Sequence, residues 1–270
     1  MSEKPVCLTI AGLDPSGGAG IVADIKTFTA LGCFAAAAVS SLTFQNTTGV
    51  YGAVHQSAAT LRGQVEPVFD DYEVAAVKTG MLPTDEIIDE TARLLASSGV
   101  ANIVVDPVVR STSGYDLIDD AALRSLIAAL FPLASVVTPN IPEAERICGI
   151  KILSEDDIAA AGGQMLEMGA RSVLIKGGHS SDQGDAEKAV DHLFTRHGHQ
   201  RFEAAFIKTT STHGTGCTLS AAIAANLALG KELSEAVRIA KDFVFEGIRT
   251  AGQLGKGNSP VDIPATWPKG

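Results

Sequence analysis

The sequence predicts an α/β fold built on a mainly parallel sheet with an antiparallel edge. Three observations carry that expectation. Short runs that are apolar throughout, such as Ile103-Val104-Val105 and Val173-Leu174-Ile175, recur along the chain. Strands apolar on both faces belong in a sheet covered on both sides. Helical stretches alternate with these runs, which is the order of strands joined by crossover helices. Late in the chain the pattern changes. Residues 190–195 and 201–206 flank the polar turn Arg196-His197-Gly198-His199, and they read as an antiparallel hairpin at a sheet edge.

The first strand is 6–11, followed by a loop over 12–20 and a helix over 19–31. Ala23, Phe28, Ala30 and Leu31 supply its apolar face, Asp24 sits near its first turns, and Gly32 closes it. A strand over 74–78 runs into Gly80. A helix over 86–95 ends at Ser97-Ser98-Gly99. Buried strands follow at 103–106 and 136–138. The helix over 154–168 is closed by Gly169, and the strand over 173–176 ends in Gly177-Gly178. The tail from Gly255 is rich in Gly and Pro and reads as an irregular surface strap. No long linker, repeat or low-complexity tract divides the chain, so residues 1–270 are expected to form one domain.

Bulk properties exclude several classes. Of the 270 residues, 46% are hydrophobic and 19% charged, ample for a buried core. A net charge of −10 argues against a nucleic-acid-binding face. No run of apolar residues is long enough for a membrane span. Met1-Ser2-Glu3-Lys4-Pro5 leads straight into the first strand and is too short for a secretory signal. The cysteines Cys7, Cys33, Cys148 and Cys217 are scattered, which fits a reduced, cytoplasmic protein. His197 and His199 show no zinc spacing with them and read as surface.

The stretch 212–220, Thr212-His213-Gly214-Thr215-Gly216-Cys217-Thr218-Leu219-Ser220, stands out chemically. An apolar, Ala-rich helix follows and ends at Gly230. Gly214 and Gly216 then lie in the turn that opens it, where backbone N–H groups and the positive helix end make an anion cradle. Cys217 falls in the first turn. A thiolate is favoured there and its pKa is expected to be lowered, making it a candidate base or nucleophile. The plainer reading is a glycine-rich helix start with a buried cysteine.

Ligands of an open α/β sheet bind beyond the carboxyl ends of its strands. Lys78, Asp106, Asn140, Glu143 and Lys176 all fall at such ends. A cradle, a lysine, and carboxylate or amide oxygens for Mg²⁺ are what phosphoryl transfer needs. Asn140 and Glu143 are spaced to face one point at a helix start, as water-mediated Mg²⁺ ligands would. The plainer role of Glu143 is a favourable charge at that helix start. Lys176 would meet phosphate as a point charge. The loop glycines do not give G-x-G-x-x-G, and no Walker A motif is present.

Seven segments, taken together, identify a resemblance: AGLDPSGGAGIVADIKTF (11–28), FQNTTGV (44–50), VKTGML (77–82), VVDPVV (104–109), TPNIPEAE (138–145), LIKGGH (174–179) and THGTGCTLSAAIAA (212–225). In this order they resemble the hydroxymethylpyrimidine/phosphomethylpyrimidine kinases of thiamine biosynthesis, in the ribokinase-like superfamily. The resemblance implies a three-layer α/β/α fold and a homodimer. The implied activity is ATP- and Mg²⁺-dependent phosphorylation of 4-amino-5-hydroxymethyl-2-methylpyrimidine, then of its monophosphate.

Carried onto this chain, Gly214, Thr215, Gly216 and Cys217 match the family's anion hole, with Cys217 as the base. Gln45 matches the position that contacts the pyrimidine, and an amide can both donate to and accept from an aminopyrimidine edge. Gly12, Met81 and Val108 match pocket walls, and Asp24 a polar position near the substrate. Thr212, Lys176, Asp106 and Lys241 match the phosphate region, and Asn140, Glu143 and Asp106 the magnesium region. Arg110-Ser111-Thr112-Ser113-Gly114 departs from relatives that carry a lysine before Ser-Gly.

The nearest alternative is a pyridoxal/pyridoxine kinase of the same family. Gln45 favours the aminopyrimidine, since pyridoxal lacks the 4-amino group. A non-catalytic binder would show a broken cradle, and a cysteine hydrolase would need a Cys217–His213 contact.

Overall fold

The computed structural model describes residues 4–109, 117–177 and 188–268. One nine-stranded sheet runs through them, in the order β3-β2-β1-β4-β5-β6-β7-β8-β9. Its parallel centre comprises β2 (Phe34–Asn46), β1 (Val6–Leu13), β4 (Val74–Thr79), β5 (Asn102–Val105), β6 (Val136–Val137) and β7 (Ser172–Ile175). Successive side chains of a strand point to opposite faces, and here each face has its own core. Cys7, Ala76, Val104, Val136 and Leu174 pack with α1 (Gly20–Ala30), α7 (Thr215–Ala228) and α8 (Leu233–Thr250). Their neighbours Leu8, Val77, Ile103, Val105, Val137, Val173 and Ile175 pack with α2 (Ala58–Asp71), α3 (Asp85–Ser98), α4 (Asp120–Ser125), α5 (Ile141–Cys148) and α6 (Glu155–Glu167). The alternation of apolar residues thus builds the expected three layers.

Antiparallel pairing occurs at both edges, not one. β8 (Lys188–Thr195) and β9 (Gly198–Ala205) form the expected hairpin, but its turn is tighter than the sequence suggests. Thr195 pairs with Gly198, leaving only Arg196 and His197 between the strands. At the other edge β2 pairs with β3 (Gly49–His55). Sequence patterning does not reveal β2, because its apolar content is largely alanine (FAAAAVSSLTFQN) and alanine favours helices. Pairing on both sides overrides that preference. Helix punctuation is read more faithfully. Thr84 caps α3, Ser154 caps α6 through a capping box with Asp157, and the glycines at 32, 99, 169 and 230 adopt positive φ after helix ends.

Candidate active site

A cavity of about 1420 Å³ opens where the strands end. Helix α7 is aimed into it because of one close approach. Gly214 has φ +81°, and a Cβ there would overlap the Gly18 carbonyl oxygen, so only glycine lets this loop pass the one after β1. Thr215 Oγ1 donates to the Thr212 carbonyl at 3.0 Å and fixes the turn. Thr212, Gly214, Thr215, Gly216 and Cys217 all line the cavity. The first-turn N–H groups of Gly216 and Cys217 have no intrahelical acceptor.

Two buried ion pairs stand behind this cradle. Lys176 Nζ contacts Asp106 Oδ1 at 2.8 Å, and a side chain on Gly216 would come within 3.2 Å of that ammonium. Lys176 is therefore a buried cation beside the cradle, not a solvated strand end. Thr138 Oγ1 donates to Asp106 Oδ1 at 3.0 Å and Ser220 Oγ to Oδ2 at 3.2 Å. Burial works to raise the Asp106 carboxyl. The Lys176 and Lys78 ammoniums outweigh it and hold the group below the usual carboxylate range.

The second pair corrects an expectation. Asp24 does not face the cavity. It is fully buried, accepts from Lys78 Nζ at 2.9 and 3.0 Å, and accepts from Thr9 Oγ1 at 2.6 Å. Its task is to hold Lys78, which does line the cavity. Burial opposes the Lys78 charge, but the Asp24 carboxylate, with Asp106 behind it, more than compensates, and its pKa is raised.

Cys217 corrects another. Its pKa is pushed up to about 11, not lowered. Burial is the largest cause. Lys78 counters it, while the Asp24 and Asp106 carboxylates add to it. Cys217 is half-buried at the cavity wall, and there the cost of desolvating a thiolate exceeds the helix-end stabilisation. His213 is not its partner. His213 Nε2 lies 2.8 Å from Asp14 Oδ2, and among the described residues no hydrogen bond joins His213 to Cys217.

Asn140 and Glu143 line the cavity at the start of α5, joined by a capping box. Asn140 Oδ1 accepts from Glu143 N at 2.9 Å, and Glu143 Oε2 accepts from Asn140 N at 2.8 Å. Burial raises the Glu143 carboxyl to about 7, against the pull of Lys176. Lys241 also lines the cavity, tied to Asp191 Oδ2 at 2.7 Å, while Asp191 Oδ1 accepts from Gly177 N. Gly12, Gln45, Met81 and Val108 line the opposite part. The Arg110-to-Gly114 loop lies outside the described residues.

Sequence reasoning passed over several groups that the cavity gathers. Phe206, Ile207, Val244, Phe245 and Ile248 form an apolar wall near Lys241. Asp14 gathers Ser16 N, Ser16 Oγ, Ala19 N and His213. The Asp-Pro-Ser order was its available signal, since aspartate often caps such a turn. The apolar wall had no comparable signal, because its residues read as ordinary core.

Residues 14–262 match the phosphomethylpyrimidine kinase family. A hydroxymethylpyrimidine/phosphomethylpyrimidine kinase of Staphylococcus aureus (strain MRSA252) is 43% identical over 263 residues, covering 97% of this chain and 94% of that protein. A thiamine biosynthesis bifunctional protein of Geobacter sulfurreducens is 45% identical over 255 residues, 94% of this chain and 51% of that protein. The structure of pyridoxal kinase from Staphylococcus aureus in complex with AMP-PCP and pyridoxal superposes with a TM-score of 0.89 at 32% identity, covering 98% of this chain and 95% of that one.

Proposed function

This chain belongs to the phosphomethylpyrimidine kinase family, and from that premise we propose that it transfers the γ-phosphoryl group of ATP to 4-amino-5-hydroxymethyl-2-methylpyrimidine and then to the monophosphate so formed. The observation that carries this reading is one cavity holding both the Gln45 amide and the Gly214–Cys217 cradle, with Lys176 beside Gly216. The amide would read the aminopyrimidine edge. The cradle would accept the phosphoryl oxygens, and the two buried ammoniums would neutralise charge that spreads over them in the transition state. The apolar wall near Lys241 suits an adenine ring.

Cys217, which closes the cradle and lines the cavity, is our candidate to receive the acceptor hydroxyl's proton. Its thiol is protonated at rest, so the thiolate is a minor form at neutral pH. A loose transition state needs little deprotonation of the nucleophile at the outset, which makes a reluctant base tolerable.

Mg²⁺ fits this donor set in one way. Among the described residues no group of three or more His, Cys, Asp or Glu side chains could hold a metal ion. Asp106, Asn140 and Glu143 all have oxygens that already accept hydrogen bonds, so each would meet the ion through water. Mg²⁺ commonly arrives on nucleotide phosphates with few protein ligands, and there it would neutralise phosphate charge.

We read residues 1–270 as one kinase domain, because one sheet and the helices packed on it line a single cavity. A homodimer is supported by the β2–β3 edge, where Leu42, Phe44, Tyr51 and Val54 are exposed. Among the described residues no helix is long and apolar enough to cross a membrane, and a cytoplasmic location accords with cysteines that form no disulfide.

The alternative acceptor is pyridoxal, which the structural neighbour binds. ATP consumption should be measured side by side with the hydroxymethylpyrimidine, its monophosphate and pyridoxal. Turnover of the first two with pyridoxal weak is expected. Turnover of pyridoxal alone would transfer the assignment to that alternative.

A further inference from the structure

The segment 254–261 bridges the two halves of the site. At one end it meets the tip of the β2–β3 hairpin. Thr47 Oγ1 accepts from Lys256 N and Gly257 N, each at 3.2 Å, and the Thr47 carbonyl accepts from Asn258 N at 2.8 Å. At the other end it meets the residue before the cradle. His213 N donates to the Ser259 carbonyl and Val261 N to the His213 carbonyl, both at 3.1 Å. Between these ends, buried Ser259 closes the segment on itself. Its Oγ accepts from Leu254 N and donates to the Leu254 carbonyl, each at 2.8 Å. Gly255 and Gly257 permit the contact with Thr47, since a Cβ on either would overlap a Thr47 oxygen.

The hairpin needs such a support. Its register breaks between Phe44 and Gln45, and a bulge there disrupts the ladder just where Gln45 enters the cavity. Below the break, Thr43 Oγ1 donates to the Leu13 carbonyl at 2.8 Å and holds the strand. Beyond it, Thr47 is the point of attachment.

We propose that Thr47 is a positioning residue for the acceptor: with its threonine oxygens bound by the segment 254–261, it sets the distance between Gln45 and the cradle. The proposal rests on Gln45 as the residue that meets the acceptor alcohol. It adds a tertiary connection, three hydrogen bonds strong, that joins acceptor recognition to the element carrying His213 and Gly214. Loosening the Thr47 end leaves the His213 end fastened, so the nucleotide side should be spared.

The test compares wild type, Thr47→Val and Thr47→Ser. Valine keeps the shape and removes the acceptor, while serine restores it. In Thr47→Val the KM for the acceptor should rise about tenfold, as expected for lost neutral hydrogen bonds, with KM for ATP within about twofold of wild type. Thr47→Ser should return to wild-type values. Hydrogen exchange of the hairpin tip, read on a peptide spanning 44–50, should quicken in the valine variant only. Equal rises in both KM values would overturn the proposal. So would faster exchange with an unchanged acceptor KM, because Thr47 would then be structural only. If wild type turns over pyridoxal and not the pyrimidine, the proposed function fails while the Thr47 comparison is read on pyridoxal. A wild type silent on both would overturn both readings.

Discussion

The two sides of the cavity are held by different forces. On the phosphate side, Lys78–Asp24 and Lys176–Asp106 are buried ion pairs between residues 54 and 70 positions apart. On the acceptor side, Gln45 is carried by a partly exposed hairpin fastened by neutral hydrogen bonds at Thr43 and Thr47. Removing one member of a buried pair strands a charge, whereas a lost neutral bond at a partly solvated edge is largely replaced by water. The phosphate side is therefore rigid and intolerant of substitution. The acceptor side is the one that can change without unfolding the protein, which is where related kinases would diverge in substrate.

Substitutions can break this contrast. The largest effect is expected at Lys78→Met, which leaves the Asp24 carboxylate buried and unpaired. Urea unfolding should show a loss of about 3–5 kcal/mol, the usual cost of breaking a buried pair. Pairing it with Asp24→Asn should recover much of the loss, because no charge is then stranded. If Lys78→Met alone is within about 1 kcal/mol of wild type, within the range of an exposed pair, the phosphate side is not held as described.

Cys217 comes next. Positioned general bases contribute about 10²–10⁴ in rate, and Cys217→Ala should lower kcat within that range. The sign of the pH dependence follows from burial. The thiolate is the accepting form and its pKa lies near 11, so kcat/KM should climb with pH above 7, and the alanine variant should lose that slope. A variant that keeps both rate and slope would leave Cys217 as a spacer.

The smallest effect sharpens the acceptor side. Gln45→Ala should raise the KM for the hydroxymethylpyrimidine by about tenfold, in line with one or two lost hydrogen bonds, and leave the KM for ATP unchanged. Equal changes in both would mean that Gln45 does not discriminate the acceptor.

Local chemistry made much of this molecule readable in advance. Glycine-closed helices, apolar strands and the 212–220 cradle each announce themselves within a dozen residues, because backbone conformation and burial pattern are written locally. The alternation Cys7/Leu8 or Val136/Val137 even assigns residues to the two layers. The β2 strand was hidden, since its alanines state a preference that only its neighbours overrule. Asp24 was misplaced for a related reason. A carboxylate in a helix near a glycine loop reads equally as a ligand or as the partner of a cation that the sequence puts 54 positions away.

From the chain alone come the apolar central strands, the glycine-closed helices between them, the cradle and the family resemblance. Tertiary structure alone decided which charges meet. It turned Asp24 and Asp106 into supports for lysines and gave His213 to Asp14. It also raised the Cys217 thiol when a helix start would have lowered it. The physical reason is that a pKa and an ion pair are set by desolvation and by the nearest charges in space, and neither quantity exists until the chain has folded around them.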